Sequence, residues 1–252
     1  MRVPSASVLA ASRRRVHQAC VRLVEDRLVV GSAGNISERV GDQWMVVSPG
    51  GRPYTDLEPD QYPLVHLETG AVQSGLSPTS EIELHRGIYR FLADAAAVVH
   101  THSRYAAAFA VARVDLRFIC NENIGPGSER ILVTDPYAAP GTVDLGIQAV
   151  STFARQPGSR AVLLANHGVV AIGDSIAMAY IVAQQVEWIA EVTHHAATIN
   201  PALPGVVVIP SDQQDLIGIN YGFSVARQTS QPQPSRDGAS RTRSRSAKPR
   251  SR

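Results

Sequence analysis

The run Ala96 to Val99, small or β-branched and uncharged, ends in His100-Thr101-His102, two imidazoles one residue apart. Such a run suits a buried strand, and on a strand side chains two apart share a face. His100 and His102 are therefore expected side by side at a strand end. That begins a metal site without completing it. A third histidine, His167, stands in Leu164-Ala165-Asn166-His167-Gly168-Val169, a tight connection between two apolar runs where Gly168 permits the turn. Strand ends and turns are where an α/β scaffold exposes chemistry. The nearest acid of interest is Glu81, in the first turn of a predicted helix. There it serves either as a fourth donor or only as an acid that the helix dipole favours. Three imidazoles and one carboxylate make an N₃O set suited to Zn²⁺ and acceptable to Co²⁺ or Mn²⁺.

The same turns have the makings of an anion cradle. A helix N-terminus offers free amides, and Thr79 and Ser80 add hydroxyls just before Glu81. In Gly31-Ser32-Ala33-Gly34-Asn35-Ile36-Ser37, small residues around Asn35 let backbone approach a ligand closely, and Ser48-Pro49-Gly50-Gly51 is a third such element. Any one of these could be an ordinary turn. The remaining histidines, His17, His66, His85, His194 and His195, fall on predicted helices or an edge strand and read as surface or packing residues.

These residues need a scaffold, and periodicity supplies one. Helical spacing is expected over 7–28, through Val8, Val16, Cys20, Leu23, Val24 and Leu28. A helix carrying Leu84, Ile88, Phe91 and Leu92 should follow Thr79 and Ser80, with Ser80 and Glu83 fitting a capping box. Further helices are expected over 105–113, 142–155 and 175–199. Strands are expected over 44–47, 64–67, 98–102, 131–133, 161–165 and 169–172. This is one α/β domain of 1–226 without an internal repeat, large enough to bury a sizeable core.

Charge divides the chain. Between Arg227 and Arg252 stand eight basic residues and one acid, Asp237, whereas the first 226 residues hold sixteen basic and twenty-one acidic side chains. An acidic body makes a poor nucleic-acid platform. The 227–252 segment, nearly free of apolar residues, is expected to be disordered; nucleic acid, if bound at all, would be met there. Two cysteines, Cys20 and Cys120, give no disulfide framework. With no secretory pattern and no apolar span of membrane length, a cytoplasmic location is expected.

The order of these motifs resembles the class II aldolase/adducin family, and especially its fuculose-phosphate aldolase branch. The family pattern G-x-x-G-N-x-S, a Pro/Gly turn, S-S-E, H-x-H and H-G reads here as Gly31 to Ser37, Ser48 to Gly51, Thr79-Ser80-Glu81, His100-Thr101-His102 and His167-Gly168. Asp135 to Thr142 and Tyr221-Gly222 extend the likeness, which covers roughly residues 10 to 224. It implies a three-layer α/β sandwich around a central mixed, largely antiparallel sheet. It also implies one Zn²⁺ per subunit on His100, His102, His167 and Glu81, with Glu81 doubling as catalytic base. Phosphate contacts would come from Ser32, Asn35, Thr79, Ser80 and the amides of Gly50 and Gly51.

The implied reaction cleaves a ketose 1-phosphate of the fuculose or ribulose 1-phosphate type, through a metal-held enediolate, to dihydroxyacetone phosphate and an aldehyde. The implied assembly is a homotetramer with sites at subunit interfaces, where Tyr221 would serve a neighbour. Two positions depart from the pattern: Gly50 stands where a threonine is common, and Glu122 where a catalytic tyrosine is expected. Either Glu122 or Tyr221 would then supply the second proton-transfer group. A metal-held enediolate needs no Schiff-base lysine, which fits a chain whose only lysine is Lys248. Within the family the same kind of site also serves dehydration of methylthioribulose phosphate, decarboxylation of phosphorylated keto acids and sugar-phosphate epimerisation, although pentose-phosphate epimerases carry Asp at the Glu81 position. An adducin-like module would keep the fold without the chemistry.

Overall fold

Successive strand residues feed two separate cores, and that alternation fixes where the histidines point. In the computed structural model, which describes residues 3–199, 206–222 and 225, the chain runs α1 (Ala6–Glu25), β1 (Asn35–Val40), β2 (Trp44–Val47), β3 (Leu64–His66), β4 (Val72–Ser74), α2 (Ile82–Phe91), β5 (Ala97–Thr101), α3 (Arg104–Ala112), β6 (Leu116–Arg117), β7 (Arg130–Ile131), α4 (Val143–Ala154), β8 (Ala161–Leu164), β9 (Gly168–Gly173), α5 (Ile176–Ile199) and α6 (Ser211–Tyr221). The segment 227–252 lies outside the described residues. Seven strands form one sheet in the order β4-β3-β2-β1-β5-β9-β8. Its ladders are all antiparallel. The parallel component expected of a mixed sheet is confined to an isolated bridge between Val133 and Leu163.

On β5, Val99 enters a core shared with α1, α3 and α5, while Val98 enters a second core with α2 and α4. Trp44 and Val46 alternate with Met45 and Val47 on β2, and Val169 and Ala171 with Val170 on β9, in the same way. The result is helices, sheet, helices: the expected three layers. Burying each such aliphatic side chain contributes about 1.5–3 kcal/mol relative to exposure. Helix α5 buries Ile176, Ala179, Tyr180, Ala183, Val186 and Ala190, a three-and-four spacing that lays one stripe along the sheet.

Several elements differ from the sequence expectation, each for a local reason. Helix α1 stops at Glu25 because Arg27 adopts a left-handed conformation (φ 57°) and the Leu28 amide folds back onto the Leu23 carbonyl. The capping box of Ser80 and Glu83 does not form. Glu81 itself is the N-cap of α2, without a side-chain cap bond, and Glu83 instead pairs with Arg86. The strand expected at 131–133 shortens to β7 plus the Val133 bridge. Asn35–Val40, read as a ligand-binding turn running on from glycine, is the inner strand β1. Helix α6 had no counterpart in the sequence reading. No described helix is long and apolar enough to cross a membrane.

Candidate metal centre

Parity carries His100 to the site. It lies two residues beyond Val98 and so shares the face that packs on α2, whose N-cap is Glu81. His100 pairs with Asn35 across β1 and with Val170 across β9. His102 follows one residue past the end of β5, and His167 precedes β9 in the turn where Asn166 is left-handed (φ 54°). Only glycine fits next: a Cβ on Gly168 would lie 2.1 Å from the Thr101 carbonyl oxygen. That close approach holds His167 against the His100–His102 segment.

The four donors then converge. His100 Nε2 lies 2.9 Å from His102 Nε2 and 3.2 Å from Glu81 Oε2, and His167 Nε2 lies 3.3 Å from Glu81 Oε1. One donor atom from each of the four residues sits within 4.8 Å of the others, and no second group of this kind occurs among the described residues. The Nδ1–H of His100 donates to the Val169 carbonyl at 2.9 Å. A carbonyl only accepts, so in the neutral ring the Nε2 lone pair faces the cluster, the usual arrangement of a metal-bound imidazole. Glu81 Oε1 is buried and has no hydrogen-bond partner. An unpaired buried carboxylate oxygen is costly, and a divalent cation among these donors would satisfy it. The residues fit such an ion.

Electrostatics point the same way. Burial, then His100 and His167, push His102 down to about 3, and burial with His100 pushes His167 down to about 4. Burial raises the Glu81 carboxyl, but His100, His167 and the Asn35 amide outweigh it and hold the group well below the usual carboxylate range. At neutral pH both imidazoles are therefore unprotonated and the carboxylate is ionised, the forms that bind metal. A pH prediction follows for the metal-free protein. Histidines whose folded pKa lies below the unfolded value of about 6.5 take up protons only on unfolding, so stability falls as pH drops below about 6.5, down to their folded values near 3–4. Melting in the presence of a chelator should show Tm declining between pH 7 and pH 5. A flat profile would contradict it.

The expected anion cradle shares a cavity with the cluster. Ser32, Asn35, Gly50, Gly51, Thr79 and Ser80 line a space of about 330 Å³ together with Glu81, His102 and His167. Two assignments change in detail. The Gly50 amide is already engaged, donating to the Ser77 carbonyl; Asn35 gives one amide hydrogen to Glu81 and keeps one for a ligand. Glu122, exposed in a short turn after Cys120, and Tyr221, 59% exposed at the end of α6, are not among the lining residues.

Two further side chains stand close behind the site, one of them read from sequence only as a surface or packing histidine. His85 is fully buried, with Nε2 on Asn35 Oδ1 and Nδ1 on Ser37 Oγ; its signal was the four-residue spacing from Glu81. The other is Glu187 of α5. Ser103 makes no side-chain cap on α3, and the Glu187 carboxylate instead accepts from the Tyr105 and Ala106 amides at 2.9 Å each. This remote cap fixes the helix that begins two residues after His102. Removing such a cap costs about 1–2 kcal/mol, so Glu187→Ala should lower Tm by roughly 2–8 °C, and an unchanged melt would refute the capping role. His194 and His195 pack around Tyr105 instead of joining the cluster.

Comparison with known proteins adds independent support. Residues 14–194 match the family model described as Class II Aldolase and Adducin N-terminal domain. The chain is 31% identical over 196 residues to a 5-deoxy-D-ribulose 1-phosphate aldolase of Bacillus thuringiensis, covering 77% of this chain and 87% of that protein. It is 30% identical over 178 residues to an L-fuculose phosphate aldolase of Haemophilus influenzae, covering 70% and 79% respectively. Among solved structures, an L-fuculose 1-phosphate aldolase superposes with a TM-score of 0.76 at 26% identity, covering 87% of this chain and 98% of that one.

Proposed function

This chain belongs to the class II aldolase and adducin family, and on that premise we propose that it cleaves a ketose 1-phosphate to dihydroxyacetone phosphate and an aldehyde. The observation that carries the reading is one cavity lined by the cradle residues and by Glu81, His102 and His167 of the four-donor cluster. Names borne by the similar proteins, 5-deoxy-D-ribulose 1-phosphate aldolase and L-fuculose phosphate aldolase, favour a short deoxyketose phosphate. Glu81, His100, His102 and His167 would hold the cation, with Zn²⁺ the best match to an N₃O set. When bound, it supplies Lewis-acid stabilisation of negative charge growing on the substrate oxygens.

The chain's own groups do the rest. Ser32, Thr79, Ser80 and the Gly51 amide grip the phosphate, with the spare Asn35 hydrogen beside them, and fix the C3–C4 bond over Glu81. As that bond breaks, its electron pair stays with C3 and is shared with the C2 oxygen. Glu81, once it has taken up a proton from water, delivers it to C3, completing dihydroxyacetone phosphate, and the proton lost from the C4 hydroxyl restores the balance. The C4 hydroxyl proton leaves to a group from outside the single-chain cavity. Tyr221 of a neighbouring subunit in a homotetramer takes that part, with Glu122 the second choice. The catalytic unit is residues 1–226, working in the cytoplasm.

An adducin-like, non-catalytic reading expects lost donors, whereas all four converge here. The test is elemental analysis of the purified protein together with a panel of ketose 1-phosphates coupled to a dihydroxyacetone-phosphate reductase. One cation per chain and reductase signal with at least one sugar is the expected result. Metal-loaded protein giving no signal with any of them would shift the reading to dehydration, decarboxylation or epimerisation.

A further inference from the structure

From Glu81 of the cluster inward, five polar side chains stand in single file. Asn35 Nδ2 donates to Glu81 Oε2 at 2.8 Å, and Asn35 Oδ1 meets His85 Nε2. His85 Nδ1 meets Ser37 Oγ at 2.6 Å, and Ser37 Oγ meets the Tyr89 hydroxyl at 2.9 Å. All five are buried, and His85 and Ser37 have no exposed surface. In a dry setting every donor needs an acceptor, so the direction of each bond is determined. An ionised carboxylate only accepts, which turns the Asn35 NH₂ toward Glu81 and its carbonyl oxygen toward His85. His85 must then donate from Nε2. Its Nδ1 is left to accept from the Ser37 hydroxyl, whose oxygen accepts from Tyr89. Burial, which pushes His85 down to about 3, keeps the ring neutral and preserves this pattern.

An amide does not pass protons along, so Asn35 prevents the file from working as a proton wire. What it transmits is orientation. We infer that His85 is a positioning residue for the metal centre: by donating from Nε2 it locks the Asn35 amide, which engages Glu81 Oε2 and reserves Oε1 for the cation. The unpaired state of Oε1, 3.3 Å from His167 Nε2, is the other half of this division of labour. Without the His85 donor the Asn35 amide is free to turn over. Its carbonyl oxygen would then oppose a carboxylate oxygen at hydrogen-bond distance, and Glu81 would swing away from its present aim. The inference rests on the metal-centre reading above and deepens it.

Zn²⁺ affinity of the purified full-length protein, measured by competition with a chromophoric chelator alongside the apo Tm, tests it. His85→Leu keeps bulk but cannot donate, and should bind Zn²⁺ about 10- to 100-fold more weakly, the usual cost of losing an outer partner of a metal ligand. His85→Gln carries an N–H donor and a carbonyl acceptor on one amide, and should restore affinity to within about threefold of wild type by the same donation. A purely structural role would change Tm without this rescue. Should His85→Leu not fold, Asn35→Asp, which replaces the donor facing Glu81 by an acceptor at equal size, should weaken Zn²⁺ binding at least as much. A folded His85→Leu or Asn35→Asp protein with wild-type affinity overturns the inference, as does a His85→Gln protein as weak as His85→Leu. Wild type that binds no Zn²⁺ overturns the metal reading and this inference together.

Discussion

Glu81→Gln is expected to leave a folded protein whose turnover falls by about 10²- to 10⁴-fold, the range that a positioned proton-transfer group contributes. The substitution is nearly isosteric, and an amide oxygen can still accept from Asn35 Nδ2, the bond now made at 2.8 Å. What disappears is the negative charge and one carboxylate oxygen, and with them the group's ability to carry a proton. In its place an NH₂ would face the ring nitrogen of His167, now 3.3 Å away. Cation affinity should fall as well, so kcat has to be read at saturating metal, where the binding loss is removed and the chemical loss remains. Apo Tm near the wild-type value would show that the scaffold survives. Wild-type kcat in this variant would end the assignment of Glu81 as the proton carrier.

His100→Ala should abolish stoichiometric metal. The ring is fully buried, approaches both His102 and Glu81 through Nε2, and anchors to the Val169 carbonyl through Nδ1. Truncation therefore removes a donor, leaves a hole in a close-packed layer and removes the side-chain hydrogen bond to the Val169 carbonyl. Losing an outer partner already costs 10- to 100-fold in affinity, so loss of the ligand itself should exceed about 100-fold. After dialysis against a chelator and re-addition of limiting Zn²⁺, elemental analysis should find less than about a tenth of the wild-type content. Full occupancy would remove His100 from the ligand set. A vacated imidazole also destabilises the sheet, so the apo melt should fall even though the backbone pairing of β5 is untouched.

The centre was legible where strand periodicity spoke directly. His-x-His at the end of an apolar run gives two imidazoles on one face whatever the rest of the fold does, and His167 before a glycine between two strands is nearly as plain. His85 was not legible, because a histidine on a helix face shows in sequence only its spacing, and its partners Asn35 and Ser37 come from a strand that reads as a polar turn. That strand, Asn-Ile-Ser-Glu-Arg-Val, hides its alternation because its polar members are satisfied by distant groups. Ser37 meets His85 and Tyr89, Glu38 pairs with Arg15, and Arg39 reaches the Ala95 and Tyr89 carbonyls. Helix α6 was invisible for the opposite reason. Leu216, Ile219 and Tyr221 stay exposed in the single chain, so no burial pattern along α6 reports their role.

His100 stands on β5 between two antiparallel neighbours, registered with Asn35 on β1 and Val170 on β9. Its fellow donors arrive from a helix start and from a turn far along the chain. No stretch emerging from a ribosome can therefore chelate in the native manner until β9 has docked, and pairings of such long sequence separation form slowly. Any native-like chelation would then have to follow the docking of β9, late in folding.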